Sequence, residues 1–137
     1  MRTVSKTVIG VDFGTQSARA VLVNAENGEI IYSCRKEYPY NSTPVPAIDC
    51  AENIPCATDY EMTLYELLRN VIPEEYRKTV AGICVDATSL TMVLLAEDGR
   101  ALSELDGWSE AAHARVKLWK YHRAQEKADE ALNLARN

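Results

Sequence analysis

Asp12, Gly14, Thr15, Gln16 and Ser17 lie within six positions of one another, directly after the β-branched apolar run that begins at Thr7. An acid that closes such a run, followed by a glycine and two hydroxyls, can hold a phosphate. Successive backbone N–H groups in a tight turn form an anion-binding concavity, glycine lets the backbone come close, and Thr15 and Ser17 add hydroxyl donors. Asp12 beside the cradle suits Mg²⁺ bridging phosphates through its waters, because that ion prefers oxygen ligands and gives up water reluctantly. An ordinary hairpin would account for the same residues, with Asp12 bonding its own turn and Gly14 supplying a positive φ. The spacing is neither a Walker A loop nor a Rossmann glycine pattern.

A second polar cluster, Ala87-Thr88-Ser89-Leu90-Thr91, follows the apolar run Val80 to Val85 after Asp86. Hydroxyls at the end of a buried strand can pair with a polyol, or can close the turn by bonding their own backbone. Trp119 can offer an apolar wall to a sugar or pack in the core. His113 and His122 are the only histidines, and each suits a hydrogen-bonded structural role. Cys34, Cys50, Cys56 and Cys84 form no CxxC pair and stand at no zinc-finger spacing from either histidine, which argues against a thiolate metal site. Cys84, inside an apolar run, reads as a buried small hydrophobe.

The elements that must position these groups follow from pattern. Two apolar runs around the Asp12 to Ser17 turn read as strands, and Asn27-Gly28 turns the chain into a third at residues 29–37, so residues 7–37 predict a β-meander. Residues 38–58 hold Pro39, Pro44, Pro46 and Pro55 and read as a connecting loop. Thr58-Asp59 offers an N-cap to a helix over 59–71, with Pro73 beyond its end. Residues 80–96 predict two strands, the first buried on both faces, and 111–135 suit a partly amphipathic helical region. The sum is mixed α/β within one domain, without internal repeats.

Composition excludes several classes. Fifteen basic residues against twenty acidic ones in 137, with no Lys/Arg cluster, do not make a nucleic-acid footprint. No apolar run approaches the roughly 20 residues of a membrane helix, and Met1 to Lys6 leads into no signal-peptide core, so a cytoplasmic protein is expected.

Asp12-Phe13-Gly14-Thr15-Gln16-Ser17-Ala18-Arg19 resembles the first phosphate motif of sugar kinases on the ribonuclease-H-like (actin-like ATPase) fold. That motif is shared by glycerol kinases, xylulokinases and ribulokinases, members of the FGGY family. The resemblance implies ATP and Mg²⁺: Asp12 would help to position the ion through water, and Gly14, Thr15, Gln16 and Ser17 would approach the phosphates. Arg19 fits the pattern, and fits equally a solvated strand residue with a packed stem. Val85-Asp86-Ala87-Thr88-Ser89 followed by Thr91 is similar to the sugar-contacting segment in its ribulokinase version. The run Lys117-Leu118-Trp119-Lys120-Tyr121-His122 resembles the ribulokinase form of a segment in which other members carry Asp and Arg after the Trp. The stretch Asp49 to Asn53 departs from the Gln-rich segment of the family. By this resemblance the chain is an incomplete N-terminal domain with sugar and ATP as partners, and a homo-oligomer is compatible with it. Its catalytic base would lie downstream, leaving the fragment inactive. A kinase of another pentose, pentitol or polyol such as xylulose or ribitol is the nearest alternative. A non-catalytic actin-like nucleotide-binding module is the next.

Overall fold

The computed structural model describes residues 6–39, 55–108, 111, 114–119 and 125–136. Its strands are β1 (Thr7–Phe13), β2 (Ser17–Asn24), β3 (Ile30–Glu37) and β4 (Val80–Ala87), and its helices are α1 (Ala57–Val71) and α2 (Gln125–Arg136). The sheet order is β3-β2-β1-β4. Strands β1, β2 and β3 form an antiparallel meander, whereas β4 joins the other side of β1 in parallel. A parallel partner requires a crossover, and α1 supplies it. The result is α/β, a mixed four-stranded sheet with helices, of the ribonuclease-H-like type.

Period-2 alternation gives the meander one buried face. Ile9 and Val11 on β1 and Ala18, Ala20 and Leu22 on β2 are buried together with Leu67 and Val71 of α1. Small Ala18 and Ala20 leave room for the helix to settle on β2 and β3. On α1 the buried residues are Asp59, Thr63, Leu67 and Val71, spaced four apart as one stripe of an α-helix must be. The helix starts at Ala57 rather than 59 because Cys56, not Thr58, is its N-cap, and the Cys56 N–H donates to Asp59 Oδ2 at 2.8 Å. It stops at Val71 because Pro73 drives Ile72 out of helical conformation, to φ −108° and ψ 93°.

Within that stripe the Thr63 hydroxyl is buried without a hydrogen-bond partner. Thr63→Val removes the stranded oxygen while keeping the shape. It is expected to raise stability by about 1 kcal/mol, read as a higher urea midpoint at unchanged slope; a lower midpoint would show that the hydroxyl has a partner in solution.

Four expectations are corrected. Strand β4 is not buried on both faces: Ile83 and Val85 are more than half exposed, because β4 is the sheet edge and α1 lies over β2 and β3. Cys84 is exposed for the same reason. The apolar run 92–96 is no full strand and makes only isolated bridges, Met92 to Lys117 and Leu95 to Ala101. Residues 114–119 form no α-helix: Ala114, Val116 and Leu118 are buried while Arg115, Lys117 and Trp119 are not, an alternation of two around the bridge at Lys117. Among the described residues of the tail, Gln125–Arg136 form α2, which buries none of its residues. His113 and His122, and most of the Pro-rich loop including Cys50, lie outside the described residues.

Burial has a consequence for the thiols. It pushes the Cys34 and Cys56 thiols above their ordinary range, so at pH 8 each carries less thiolate than a free cysteine. Iodoacetamide is therefore expected to label Cys84 before either of them, as peptide mass spectrometry would show. Earlier labelling of Cys34 would contradict its placement beneath α1, where its Sγ faces the Leu67 carbonyl at 3.6 Å.

Candidate functional site

The site lies where β1 and β4, parallel neighbours, both end. Strand β1 runs out at Phe13 and the chain reverses through Gly14, Thr15 and Gln16 into β2. The Gly14 N–H donates to the Ser17 carbonyl at 3.1 Å to close the turn. Gly14 is not there for a positive φ, a conformation found at Gly28, Gly99 and Gly107 among the glycines. It is there for space, because a Cβ at Gly14 would stand 3.0 Å from the Ser17 carbonyl oxygen. Beneath the turn the buried Tyr38 donates its hydroxyl to the Gly14 carbonyl at 2.7 Å. Its ring meets Tyr60 of α1 edge-on at 4.9 Å, and Tyr60 meets Phe13 in the same way at 5.9 Å. The turn is thus held by an aromatic cluster from β1, α1 and the end of β3.

Above it opens a cavity of about 380 Å³ lined by Gly14, Thr15, Gln16, Ser17, Arg19, Arg35 and Trp119. The four turn residues expected at the phosphates therefore face one space. Trp119 joins them from far along the chain, its indole Nε1–H donating to Thr15 Oγ1 at 3.3 Å. Its place is at the Gly14 to Ser17 turn, in a cavity whose lining includes none of residues 87–91.

Asp12, the penultimate residue of β1, accepts from Arg19 Nη1 at 3.1 Å, and about half of its side chain is exposed. In register beside it on β4 stands Asp86, whose Oδ1 accepts from the Ala87 N–H at 2.8 Å. Both line a second, largely apolar groove of about 330 Å³ with Gly10, Val21 and Cys84, and Arg19 borders both spaces. Among the described residues no group of three or more His, Cys, Asp or Glu could cage a metal. A donor set of one or two carboxylates fits Mg²⁺ that arrives on phosphates, since that ion keeps several waters and needs few protein ligands.

The hydroxyl-rich loop is tied to the same place. Thr88 donates both its N–H, at 2.9 Å, and its hydroxyl, at 3.1 Å, to the Phe13 carbonyl, which locks the loop onto the last residue of β1. Ala87 is the last residue of β4, Ser89 and Leu90 turn away from it, and Leu90 adopts φ 59° with its side chain exposed. A β-branched or bulky residue avoids that conformation, and holding Leu90 there costs of order 1–3 kcal/mol. The Thr91 hydroxyl is buried without a partner. The Met92 to Lys117 bridge then brings the segment bearing Trp119 alongside.

Two contributors, Arg35 and Tyr38, escape sequence reasoning. They lie on or just past β3, and only the meander's register carries them back to the turn. The Asn27-Gly28 hairpin was the available signal, since it folds β3 onto β2.

Fold and turn together define a class: the chain resembles carbohydrate kinases of the FGGY family, whose phosphate motif ends one strand and opens the next. Within that class its similarity is to ribulokinases. It is 38% identical over 129 residues to Ribulokinase 1 of Staphylococcus saprophyticus, covering 88% of this chain and 23% of that protein. It is 34% identical over 140 residues to the ribulokinase of Mycolicibacterium smegmatis, covering 95% and 25% respectively. The ribulokinase of Halalkalibacterium halodurans matches at 32% over 133 residues, with 91% and 24% covered. The chain thus spans about a quarter of the length of the curated relatives it matches. No family model matches it, and no helix among the described residues is long and apolar enough to cross a membrane.

Proposed function

We infer that these residues form one wall of an ATP-dependent kinase that phosphorylates ribulose at its terminal hydroxyl. The observation that carries this reading is the junction at Phe13, where the phosphate turn and the hydroxyl-rich loop are fastened to one carbonyl by Thr88. A kinase must hold phosphoryl donor and acceptor hydroxyl side by side in fixed geometry, and two loops hung from the ends of adjacent parallel strands do that. Thr15, Gln16 and Ser17 bind and orient the phosphates by backbone N–H and hydroxyl donation, Gly14 leaves them room, and Asp12 would hold Mg²⁺ through its waters. Bound Mg²⁺ neutralises charge on the phosphates. Ala87 to Thr91 form the sugar side, with Ser89 as the hydroxyl partner, and Trp119 adds an apolar surface beside the turn. The proton acceptor for the substrate hydroxyl is contributed by none of these residues, so the 137 residues alone are expected to show negligible turnover.

The test is ATP consumption by a chain of the relatives' full length that carries this segment, with ribulose, xylulose and glycerol each offered. Turnover that depends on ribulose supports the reading. Turnover with xylulose or glycerol alone would replace the substrate, and ATP consumption independent of any sugar would favour a nucleotide-binding module. Clear sugar-dependent turnover by the 137 residues would show that the proton acceptor lies within them.

A further inference from the structure

We propose that Arg35 is a phosphate-positioning residue: through Ser17 and across from Arg19, it makes the Gly14 to Ser17 turn a two-guanidinium pocket for the polyphosphate of a nucleotide. The naming of the nucleotide rests on the kinase reading; the anion pocket does not.

An indole N–H and a guanidinium only donate hydrogen bonds, whereas a hydroxyl both donates and accepts. The Trp119 indole donates to Thr15 Oγ1 at 3.3 Å, and Arg35 Nε donates to Ser17 Oγ at 3.0 Å. Each hydroxyl oxygen is thereby fixed as an acceptor, which leaves its own proton to be given to another acceptor. Both hydroxyls belong to residues that line the cavity of about 380 Å³. A cavity into which two oriented hydroxyls can donate takes an acceptor-rich ligand.

Charge selects which kind. Arg35 on β3 stands directly opposite Arg19 on β2 in the strand register, and both border the cavity. Like charges facing each other across a strand pair repel. Arg19 is answered by Asp12 at 3.1 Å, but the Arg35 partner, Glu37, is looser at 3.7 Å and largely exposed. An anion between the two guanidiniums relieves their repulsion, and planar guanidinium groups match phosphate oxygens in geometry. Because Arg35 Nε is already anchored on Ser17, its charged head is aimed before the ligand arrives, and little side-chain entropy is lost on binding.

Binding of tripolyphosphate to the 137-residue chain, measured by calorimetry in magnesium-free buffer at two salt concentrations, tests this. Arg35→Gln is expected to weaken binding about five- to tenfold and to flatten its salt dependence. Arg35→Lys should recover part of the loss, since it restores the charge without the fork. Glu37→Gln removes the competing carboxylate and should tighten binding about twofold, a gain that a merely structural arginine would not produce. More than half of the Arg35 side chain is exposed, so the thermal midpoint of Arg35→Gln should match that of the unchanged chain. Binding by Arg35→Gln within twofold of the unchanged chain, or no binding by the unchanged chain, overturns the proposal. Failure of the kinase reading would look different: no sugar-dependent ATP consumption by the full-length chain while tripolyphosphate binding and its dependence on Arg35 persist.

Discussion

Asp12→Ala is expected to lower ribulose-dependent ATP consumption by at least about a hundredfold in a full-length kinase carrying this segment, the scale on which a group that stabilises transition-state charge acts. The same change should leave stability nearly untouched. Asp12 is paired with Arg19, but that pair is about half exposed on both sides, and exposed ion pairs contribute only about 0–1 kcal/mol. Its carboxylate stands at the end of β1 beside Asp86, where the Gly14 to Ser17 turn begins, and under the proposed function a hydrated Mg²⁺ would need a fixed negative oxygen there. Asp12→Asn keeps the shape and loses the charge, so it should fall as far as alanine does. The measurements are turnover at saturating Mg²⁺ and the thermal midpoint. Turnover within about threefold of the unchanged enzyme would remove Asp12 from the metal's surroundings. A fall in stability matching the fall in turnover would make it structural.

Gly14→Val should destabilise the chain by about 1–3 kcal/mol and abolish measurable tripolyphosphate binding. The atom that a Cβ would meet, at 3.0 Å, is the Ser17 carbonyl oxygen, backbone already engaged by the Gly14 N–H at 3.1 Å. It cannot retreat without opening the turn. Tyr38 grips the Gly14 carbonyl from below at 2.7 Å, so Gly14 cannot retreat either. Gly28→Ala makes the informative control. Gly28 has φ 75° and open space around it, so alanine there is strained by about 1 kcal/mol while the phosphate turn is left alone. Urea unfolding and calorimetry on both variants separate the two effects. Unimpaired anion binding by Gly14→Val would mean that the turn is wider in solution than its hydrogen bond implies.

Much of the site is local and was therefore legible in the chain. Asp12 to Ser17 form one turn, and a carboxylate, a glycine and two hydroxyls in such close succession keep their chemistry whatever packs around them. The meander was legible too, since alternation across Ile9 to Val11 and the Asn27-Gly28 turn are properties of adjacent residues. The register was not. A two-residue turn at Asn27-Gly28 would pair Glu26 with Glu29 and so place Lys36 opposite Arg19. The structure instead closes the turn from Asn24 to Glu29 and shifts register between Leu22 and Val23, which sets Arg35 there. One residue of slip exchanges the faces of a strand, and a bulge leaves little trace in composition.

Trp119 shows the same division over a longer distance. Its segment shows both the spacing of a helix and the alternation of a strand, and the choice fell to the antiparallel bridge between Lys117 and Met92. The exposure of β4 was equally beyond local reading: an apolar run is the same whether its strand is central or at an edge, and only the order β3-β2-β1-β4 places it at the edge. Sequence by itself determined the turn at Asp12 to Ser17, the helix before Pro73 and the kinship with ribulokinases, because each rests on residues near one another in the chain. Only the tertiary structure decided that Arg35, Tyr38, Thr88 and Trp119 converge on that turn, because hydrogen bonds between distant segments depend on register and sheet order, which no short stretch of chain encodes.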